Sequence, residues 1–181
     1  MKSTFYETKR LILRPFKRTD YHSLLAIYGQ PLEMRYIGKG ALNSPEIWEY
    51  VKSAITHYET HNCGPMAVID KASGELIGRG GHYYSDRTPY LQHGYIIKHA
   101  FWGKKLGQEI AKANLDIAFQ ELNQPILAAY AMPSNEVSRH ILSKIGMEYQ
   151  GIISYAQTQY AYYAISRAEY FGNVSLIDQA A

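Results

Sequence analysis

The chain has 181 residues, of which 46% are hydrophobic, and its formal net charge is +3. This length and composition suffice for one domain with a substantial core, and the mild charge does not favour non-specific nucleic-acid binding. The single cysteine, Cys63, excludes an internal disulfide and fits a reducing compartment. Residues 1–7 have no apolar signal-peptide core, and no run reaches membrane-spanning length. We therefore expect a cytoplasmic protein without a membrane partner.

Hydrophobic periodicity and turn residues predict the element order βααβββαβαββ. The predicted strands cover residues 10–15, 66–69, 76–84, 91–98, 126–131, 147–155 and 159–166. The predicted helices cover residues 22–28, 44–61, about 106–120, and a stretch opened by residues 133–135 and closed by Gly146. Ser44 is the predicted cap of the second helix, and the tail from Tyr170 should be poorly tied down. Without a linker or repeat, this order predicts one mixed α/β domain over residues 1–181, with its core at about 8–170.

The start of the third predicted helix lacks the residues that usually cap a helix. No Ser, Thr, Asp or Asn occurs between Tyr95 and Gly107, and two glycines bracket Lys104 and Lys105. Free N–H groups, close backbone approach at Gly103 and Gly107 and two ammonium groups together predict an anion site, for a phosphate or pyrophosphate. An ordinary turn with water on its amides is the alternative. The spacing matches neither a Walker nor a Rossmann fingerprint.

Several segments carry a family resemblance in the same chain order. They are residues 8–16, Leu76-Ile77-Gly78, Gly94-Tyr95 followed by Trp102-Gly103-Lys104, Asn135-Glu136-Val137-Ser138 followed by Lys144-Ile145-Gly146-Met147, and residues 163–167. Together they resemble the acyl-CoA N-acyltransferase (GNAT) superfamily, and most closely its ribosomal-protein N-acetyltransferase branch (RimJ/RimL-like). The resemblance implies a central mixed, mostly antiparallel sheet that is splayed at the cofactor site and flanked by helices.

The resemblance also implies that acetyl-CoA binds between the strand at 94–98 and the strand at 126–131. Its pyrophosphate would lie on the loop amides, and its pantetheine arm would pair with the strand backbone. The implied cofactor-binding residues are Ile96, Ile97, Lys98, Trp102, Gly103, Lys104, Lys105, Leu106, Gly107, Asn135 and Ser138. Helix capping is the alternative role for Asn135. Lys105 stands where glycine is usual, which a helical conformation tolerates but a positive φ would turn into an impaired site.

Direct attack of an amine on the thioester is the implied chemistry. Many family members use a tyrosine to protonate the departing sulfur, but Leu142 stands at the matching position. Ser138 is therefore the predicted donor, with a serine packed at the helix start as the alternative. For the base, Gln92 stands where a glutamate is common and cannot accept a proton. We predict His93, although it points to the opposite face of its strand, with His82 and Glu33 as further candidates.

These inferences predict an N-acetyltransferase that acts on a primary amine. The acceptor would be a protein N-terminus, possibly ribosomal, or a small molecule, and the enzyme a monomer or homodimer. A non-catalytic acyl-CoA-binding module is the main alternative, and an RNA- or ribosome-docking protein is a third. His57 and His61 lie four residues apart near Cys63, a spacing that could hold a metal. Since no further ligand cluster completes it, we predict no metal.

Overall fold

A nine-stranded sheet forms the centre of the computed structural model, which describes residues 5–178. Its strands are β1 (Tyr6–Glu7), β2 (Leu11–Pro15), β3 (Pro65–Asp70), β4 (Leu76–Ser85), β5 (Thr88–His93), β6 (Ile96–Ile97), β7 (Ile126–Ala131), β8 (Glu148–Tyr155) and β9 (Thr158–Ser166). The spatial order is β1-β2-β3-β4-β5-β7-β9-β8, with β6 paired to β4. The strands pair antiparallel except for β5 and β7, which are parallel. The predicted mixed, mostly antiparallel sheet is confirmed.

Six α-helices accompany the sheet in the described part of the chain. They are α1 (Tyr21–Tyr28), α2 (Pro31–Met34), α3 (Ser44–His61), α4 (Leu106–Asp116), α5 (Glu136–Lys144) and α6 (Arg167–Asp178). At the start of α3, the Asn43 side chain accepts from the backbone N–H of Glu46 and the Glu46 carboxylate accepts from that of Asn43. This reciprocal capping box makes Asn43 the cap, rather than the predicted Ser44.

Apolar side chains pack against both faces of the sheet. On one face, α1 and α3 contribute Leu24, Ile27, Ile47 and Val51 to a buried cluster with strand residues such as Ala67 and Ile96. On the other face, α4 contributes Leu106 and Ile110, and the helical turn after it contributes Ile117, to a cluster with Leu13, Val68 and Ile77. Burial of this apolar surface is the main force that holds the layers together.

The sheet opens where β4 and the β5–β6 segment are both irregular. Gly81 interrupts β4 with a φ of +98°, and a Cβ atom there would collide with the carbonyl oxygen of Gly64. Opposite it, Gly94 and Tyr95 separate β5 from β6, which the sequence had predicted as one strand. The parallel pairing of β5 with β7 ends at His93, after which β6 follows β4 while β7 stays on β9. A cleft therefore opens between β6 and β7.

Asn114, fully buried on α4, binds the backbone groups that these two irregularities release. Its Oδ1 accepts from the N–H of Gly81 at 3.0 Å, and its Nδ2 faces the carbonyl oxygen of Gly94 at 3.5 Å and Nδ1 of His93 at 3.4 Å. Its own carbonyl oxygen accepts from Nε2 of His82 at 2.8 Å. One side chain thus satisfies polar groups on both sides of the opening, which would otherwise be buried without partners.

The predicted loose tail is wrong at its first residue, because Tyr170 is buried in α6. Its ring stacks on Phe119 with the centroids 4.9 Å apart, and its hydroxyl donates to Asp116 at 2.7 Å and accepts from Gln120 at 2.6 Å. The last residues of that predicted tail, 179–181, lie outside the described residues.

We expect Asn114→Leu to lower the free energy of unfolding by about 3 kcal/mol, because it leaves the buried Gly81 N–H without an acceptor. Urea unfolding measures this change. Lys112→Leu adds the same side chain to the exposed face of α4 and should change stability by less than about 0.5 kcal/mol. Equal stability of the two variants would contradict this role of Asn114.

Candidate active site

A cavity of about 590 Å³ occupies the cleft between β6 and β7. It is lined by the start of α4, by α5, and by residues in and after α2. Nine of the eleven residues predicted to bind the cofactor line it, namely Ile96, Ile97, Trp102, Gly103, Lys105, Leu106, Gly107, Asn135 and Ser138. Lys98 and Lys104 do not belong to the lining. The volume is in the range of natural small-molecule sites.

Both backbone groups of Lys98 are bonded within the protein, which argues against its predicted pairing with pantetheine. Its N–H donates to the carbonyl oxygen of Ile77 at 2.8 Å, and its carbonyl oxygen accepts from the N–H of Phe101 at 2.9 Å. Its ammonium group pairs with Glu75 at 2.5 Å. The first of these bonds belongs to the β4–β6 ladder, in which successive residues point alternately toward and away from the partner strand.

The same alternation directs Ile97 into the cleft. Since the flanking Lys98 N–H points to β4, the N–H and carbonyl groups of Ile97 point away from it. The Ile97 carbonyl already accepts from Nε1 of Trp102 at 2.7 Å. By the same alternation, the backbone groups of Ile96 point toward β4. Among Ile96, Ile97 and Lys98, only Ile97 therefore directs its backbone N–H toward the cleft.

The start of α4 is uncapped, as the sequence indicated. Lys105 is the N-cap residue, and its side chain caps no helix N–H. The first helical hydrogen bond runs from the N–H of Glu109 to the carbonyl oxygen of Lys105, at 3.4 Å. Gly103 has a φ of +73° with open space beside it, while Lys105 has a φ of +59°. Of the two conformations considered for Lys105, the structure has the one with a positive φ. This conformation destabilises the fold by about 1 kcal/mol relative to glycine at the same position.

Contacts from the residues between β1 and β2 hold this loop in place. The Glu109 carboxylate accepts from the Thr8 hydroxyl at 2.6 Å and from the Arg10 backbone and Nε at 2.9 and 2.7 Å. Arg10 also donates to the carbonyl oxygen of Lys104 at 2.8 Å. Burial acts to raise the pKa of Glu109, but these bonds outweigh it and the pKa is lowered. Lys104 is thereby held on the outer side of the loop, with its ammonium 4.5 Å from the ring centroid of Phe101.

Ser138 and Tyr95 form a pair of hydroxyl groups that line the cavity. The Tyr95 ring packs on Gly107, where an added Cβ would lie 3.0 Å from Cε2 of the ring. Its hydroxyl lies near the Ser138 side chain. Burial raises the pKa of Tyr95, and the Ser138 side chain opposes the rise only in part, so the phenol is neutral at physiological pH. Leu142 is buried and also lines the cavity. No pattern in the sequence indicates that Tyr95 and Ser138 lie close together.

Asn135 caps α5, the alternative role considered for it. Its Oδ1 accepts from the N–H of Ser138 at 3.2 Å. The cap uses the amide oxygen, so the Nδ2 group of the same side chain can still donate to a ligand in the cavity that it lines.

His93 is a poor base in this structure, which argues against its predicted role. Its Nδ1 faces the Asn114 amide and its Nε2 lies 3.3 Å from the Met147 sulfur. Burial lowers its pKa to about 3, and burial likewise lowers that of His82 to about 4. Glu33, the other candidate, lines the cavity and accepts from the His99 N–H at 3.0 Å through one oxygen.

The histidine pair whose spacing could hold a metal forms a ring contact. The His57 and His61 ring centroids lie 4.5 Å apart, and Cys63 is buried. Within residues 5–178 no group of three or more His, Cys, Asp or Glu side chains could hold a metal ion. No helix of that part of the chain is long and apolar enough to cross a membrane.

Comparison with known proteins agrees with this geometry. Residues 10–148 match the acetyltransferase (GNAT) domain family. The chain belongs to the GNAT family. Its similarity to the "uncharacterized N-acetyltransferase YnaD" of Bacillus subtilis is 26% identity over 144 residues, covering 80% of this chain and 82% of that protein.

Solved GNAT structures share the fold. A GNAT acetyltransferase from Bacillus anthracis superposes with a TM-score of 0.79 at 22% identity, covering 91% of this chain and 99% of the other. A ribosomal-protein-S5-alanine acetyltransferase from Vibrio fischeri gives 0.75 at 19% identity, covering 93% and 99%. These likenesses show that the chain has the mixed α/β fold of the GNAT family to which it belongs.

GNAT acetyltransferases generally use acetyl-CoA, and the residues of this cavity fit such a cosubstrate. The uncapped amides at the start of α4 suit a diphosphate. The inward-facing N–H of Ile97 suits the extended pantetheine arm, which can pair as an added strand. The apolar walls from β6 and β7 suit the rest of that arm.

The buried neutral histidines predict an acid-sensitive fold. Because the folded-state pKa values of His82 and His93 lie below the ordinary 6.5, the unfolded chain binds more protons. Their contribution to stability is complete above about pH 6.5 and is lost as the pH falls toward 4 and 3. We expect a slope of about 1.4 kcal/mol per pH unit from each histidine between pH 5.5 and 4.5.

Urea unfolding of the unsubstituted protein and of His93→Gln at several pH values tests this. The variant should lose about half of the histidine slope, while the exposed His22→Gln should keep it. Parallel pH profiles for all three proteins would rule out a neutral buried His93.

Proposed function

We propose that this GNAT protein transfers an acetyl group from acetyl-CoA to a primary amine. The uncapped start of α4, which opens into the cleft between β6 and β7, carries the proposal. The amides from Gly103 to Gly107 would bind the diphosphate, with Lys105 adding positive charge. The N–H of Ile97 and the Nδ2 group of Asn135 would bind the pantetheine arm.

In this proposal the bound thioester supplies the acetyl group, and the residues of the chain orient it and move the protons. A bond forms between the amine nitrogen and the acetyl carbon, and the bond from that carbon to sulfur breaks. Backbone N–H groups at the Gly94–Ile97 break would stabilise the negative charge on the carbonyl oxygen. The Ser138 hydroxyl, which lies near that of Tyr95, would donate to the departing sulfur.

We propose Glu33 as the group that receives the proton of the amine, directly or through water. It is the carboxylate among the described residues that line the cavity. One of its oxygens is engaged by the His99 N–H, which orients the side chain and leaves the other oxygen as an acceptor. His93 is not retained in this role, because its ring is buried and its pKa is low.

The acceptor remains a protein N-terminus or a small amine in this proposal, and the cytoplasm remains the proposed location. The ribosomal-protein acetyltransferase among the structural neighbours motivates testing N-terminal peptides. The alternative of a non-catalytic acyl-CoA-binding module makes a different prediction. Release of free thiol from acetyl-CoA in the presence of peptides, amino acids or polyamines supports the enzyme, and tight binding without release from any of them supports the module.

Ser138→Ala should lower kcat roughly 10- to 100-fold with little change in the KM for acetyl-CoA, because the hydroxyl acts mainly on the charge that develops on sulfur. Thiol release measured against acetyl-CoA concentration separates these effects. Ser143→Ala, on the exposed face of the same helix, should leave both parameters unchanged. A full kcat in Ser138→Ala would exclude Ser138 as the donor.

Two substitutions of Lys105 separate its conformation from its charge. Lys105→Gly relieves the positive φ and should stabilise the fold by about 1 kcal/mol, whereas Lys105→Gln should not. Both remove the ammonium group and should weaken CoA binding by roughly 3- to 10-fold, with a smaller salt dependence than in the unsubstituted protein. Calorimetry gives the affinities. Undiminished CoA binding by Lys105→Gln would show that this charge does not contact the diphosphate.

A further inference from the structure

Arg79, on the central strand β4, lines the cleft near Gly94. It lines the cavity together with Tyr83 of the same strand. A Cβ atom placed on Gly94 would lie 3.9 Å from Arg79 Nη1 and 3.7 Å from the Tyr83 hydroxyl. Since Gly94 is the first residue after the parallel β5–β7 pairing ends, both polar groups lie where the cleft begins.

No carboxylate neutralises this guanidinium in the described part of the chain. The ion pairs formed there by other residues do not include Arg79. Its Nε is buried without a hydrogen-bond partner. Arginine keeps its charge in proteins, so the positive charge is present and uncompensated.

Tyrosines, rather than acids, surround Arg79 on its inner side. Tyr28 and Tyr50 are in ring contact, with centroids 4.8 Å apart, and their hydroxyl oxygens are also buried without hydrogen-bond partners. Burial raises the pKa values of Tyr28 and Tyr83, so these phenols are neutral at physiological pH. The tyrosines can position the guanidinium but cannot balance its charge.

Folding alone does not account for this arrangement. A buried charge without a partner is costly, and its replacement by an apolar residue of similar size is often neutral or stabilising. A ligand anion that enters the cleft would supply the missing countercharge. A carboxylate fits the flat guanidinium with two parallel hydrogen bonds, and the Tyr83 hydroxyl can add a third.

Building on the proposed function, we propose that the acceptor is a free amino acid whose carboxylate binds Arg79 and Tyr83. Arg79 and Tyr83 lie beside Gly94, at the break where the backbone N–H groups are proposed to bind the reacting carbonyl oxygen, so the anion and the reacting amine must be close together. An amino acid carries both groups on one carbon, whereas a protein N-terminus carries an amide in place of the carboxylate. One guanidinium matches the single charge of a carboxylate, and Glu33 in the same cavity opposes a more highly charged phosphate.

The proposed reaction balances without any further reactant. The neutral amine of the amino acid forms the bond to the acetyl carbon, and the carbon–sulfur bond of acetyl-CoA breaks. The proton that leaves the amine is matched by the proton that the thiolate receives. The products are an N-acetyl amino acid and CoA.

The test compares each of the common amino acids with its own carboxamide, which keeps the amine and side chain but lacks the carboxylate. The best amino acid should exceed its carboxamide by at least about 100-fold in kcat/KM. Arg79→Met should reduce this ratio to less than about 3-fold, with kcat/KM for the carboxamide nearly unchanged. Thermal unfolding confirms that the variant is folded. Arg87→Met removes a second tyrosine-packed arginine that is outside the described cavity lining, and should keep the full ratio.

Binding without turnover separates this inference from the proposed function. A desamino carboxylic acid cannot be acetylated on nitrogen, but should raise the unfolding temperature of the unsubstituted protein and not that of Arg79→Met. If this shift occurs while no amine is acetylated, the proposed function fails and the carboxylate site stands. If amines are acetylated but carboxamides or N-terminal peptides react as well as amino acids, the function stands and this inference is overturned. A preference for aminophosphonates over amino acids would also overturn it.

Discussion

The hydrogen bonds of Asn114 make the opening of the sheet compatible with a buried core. A central sheet loses ladder bonds wherever two of its strands separate, and groups released inside the protein need new partners. Here Gly81 turns its N–H toward α4, and Asn114 accepts it while its amide nitrogen faces the carbonyl oxygen of Gly94. Helix α4 therefore stabilises the opening of the sheet through Asn114. At its uncapped N-terminus, the same helix supplies the free amides at one end of the cleft.

The cleft has two chemically different ends. One end combines free helix amides with Lys105, which suits the diphosphate of a coenzyme. The other end holds Arg79 and Tyr83 beside Gly94, which suits a small carboxylate rather than a long apolar chain. Between them, the Ile97 amide and the Ser138–Tyr95 pair face the space where the strands separate. This division assigns the cosubstrate and the acceptor to different groups of residues.

Sequence patterns predicted the elements whose signals are local. Alternation and helical periodicity located most strands and the long helices, and the missing cap at residues 103–107 indicated the uncapped helix start.

The four-residue helix α2 is too short to show a period. Whether the backbone N–H of Lys98 points toward β4 or toward the cleft is set by the register of β6 on β4, which the local sequence does not reveal. The low pKa of His93 could not be predicted, because it is set by tertiary burial. Asn114, a polar residue on an otherwise apolar helical stripe, was a signal that could have been used.

Amide hydrogen exchange with and without CoA tests most directly whether Asn114 and the uncapped loop work as described. The Gly81 N–H, already bonded to Asn114, should exchange slowly in both states. The amides of residues 103–107 and of Ile97 should exchange quickly in the free protein and become protected when CoA binds. Rapid exchange at Gly81 in the free protein, or loop amides that saturating CoA leaves unprotected, would contradict the account.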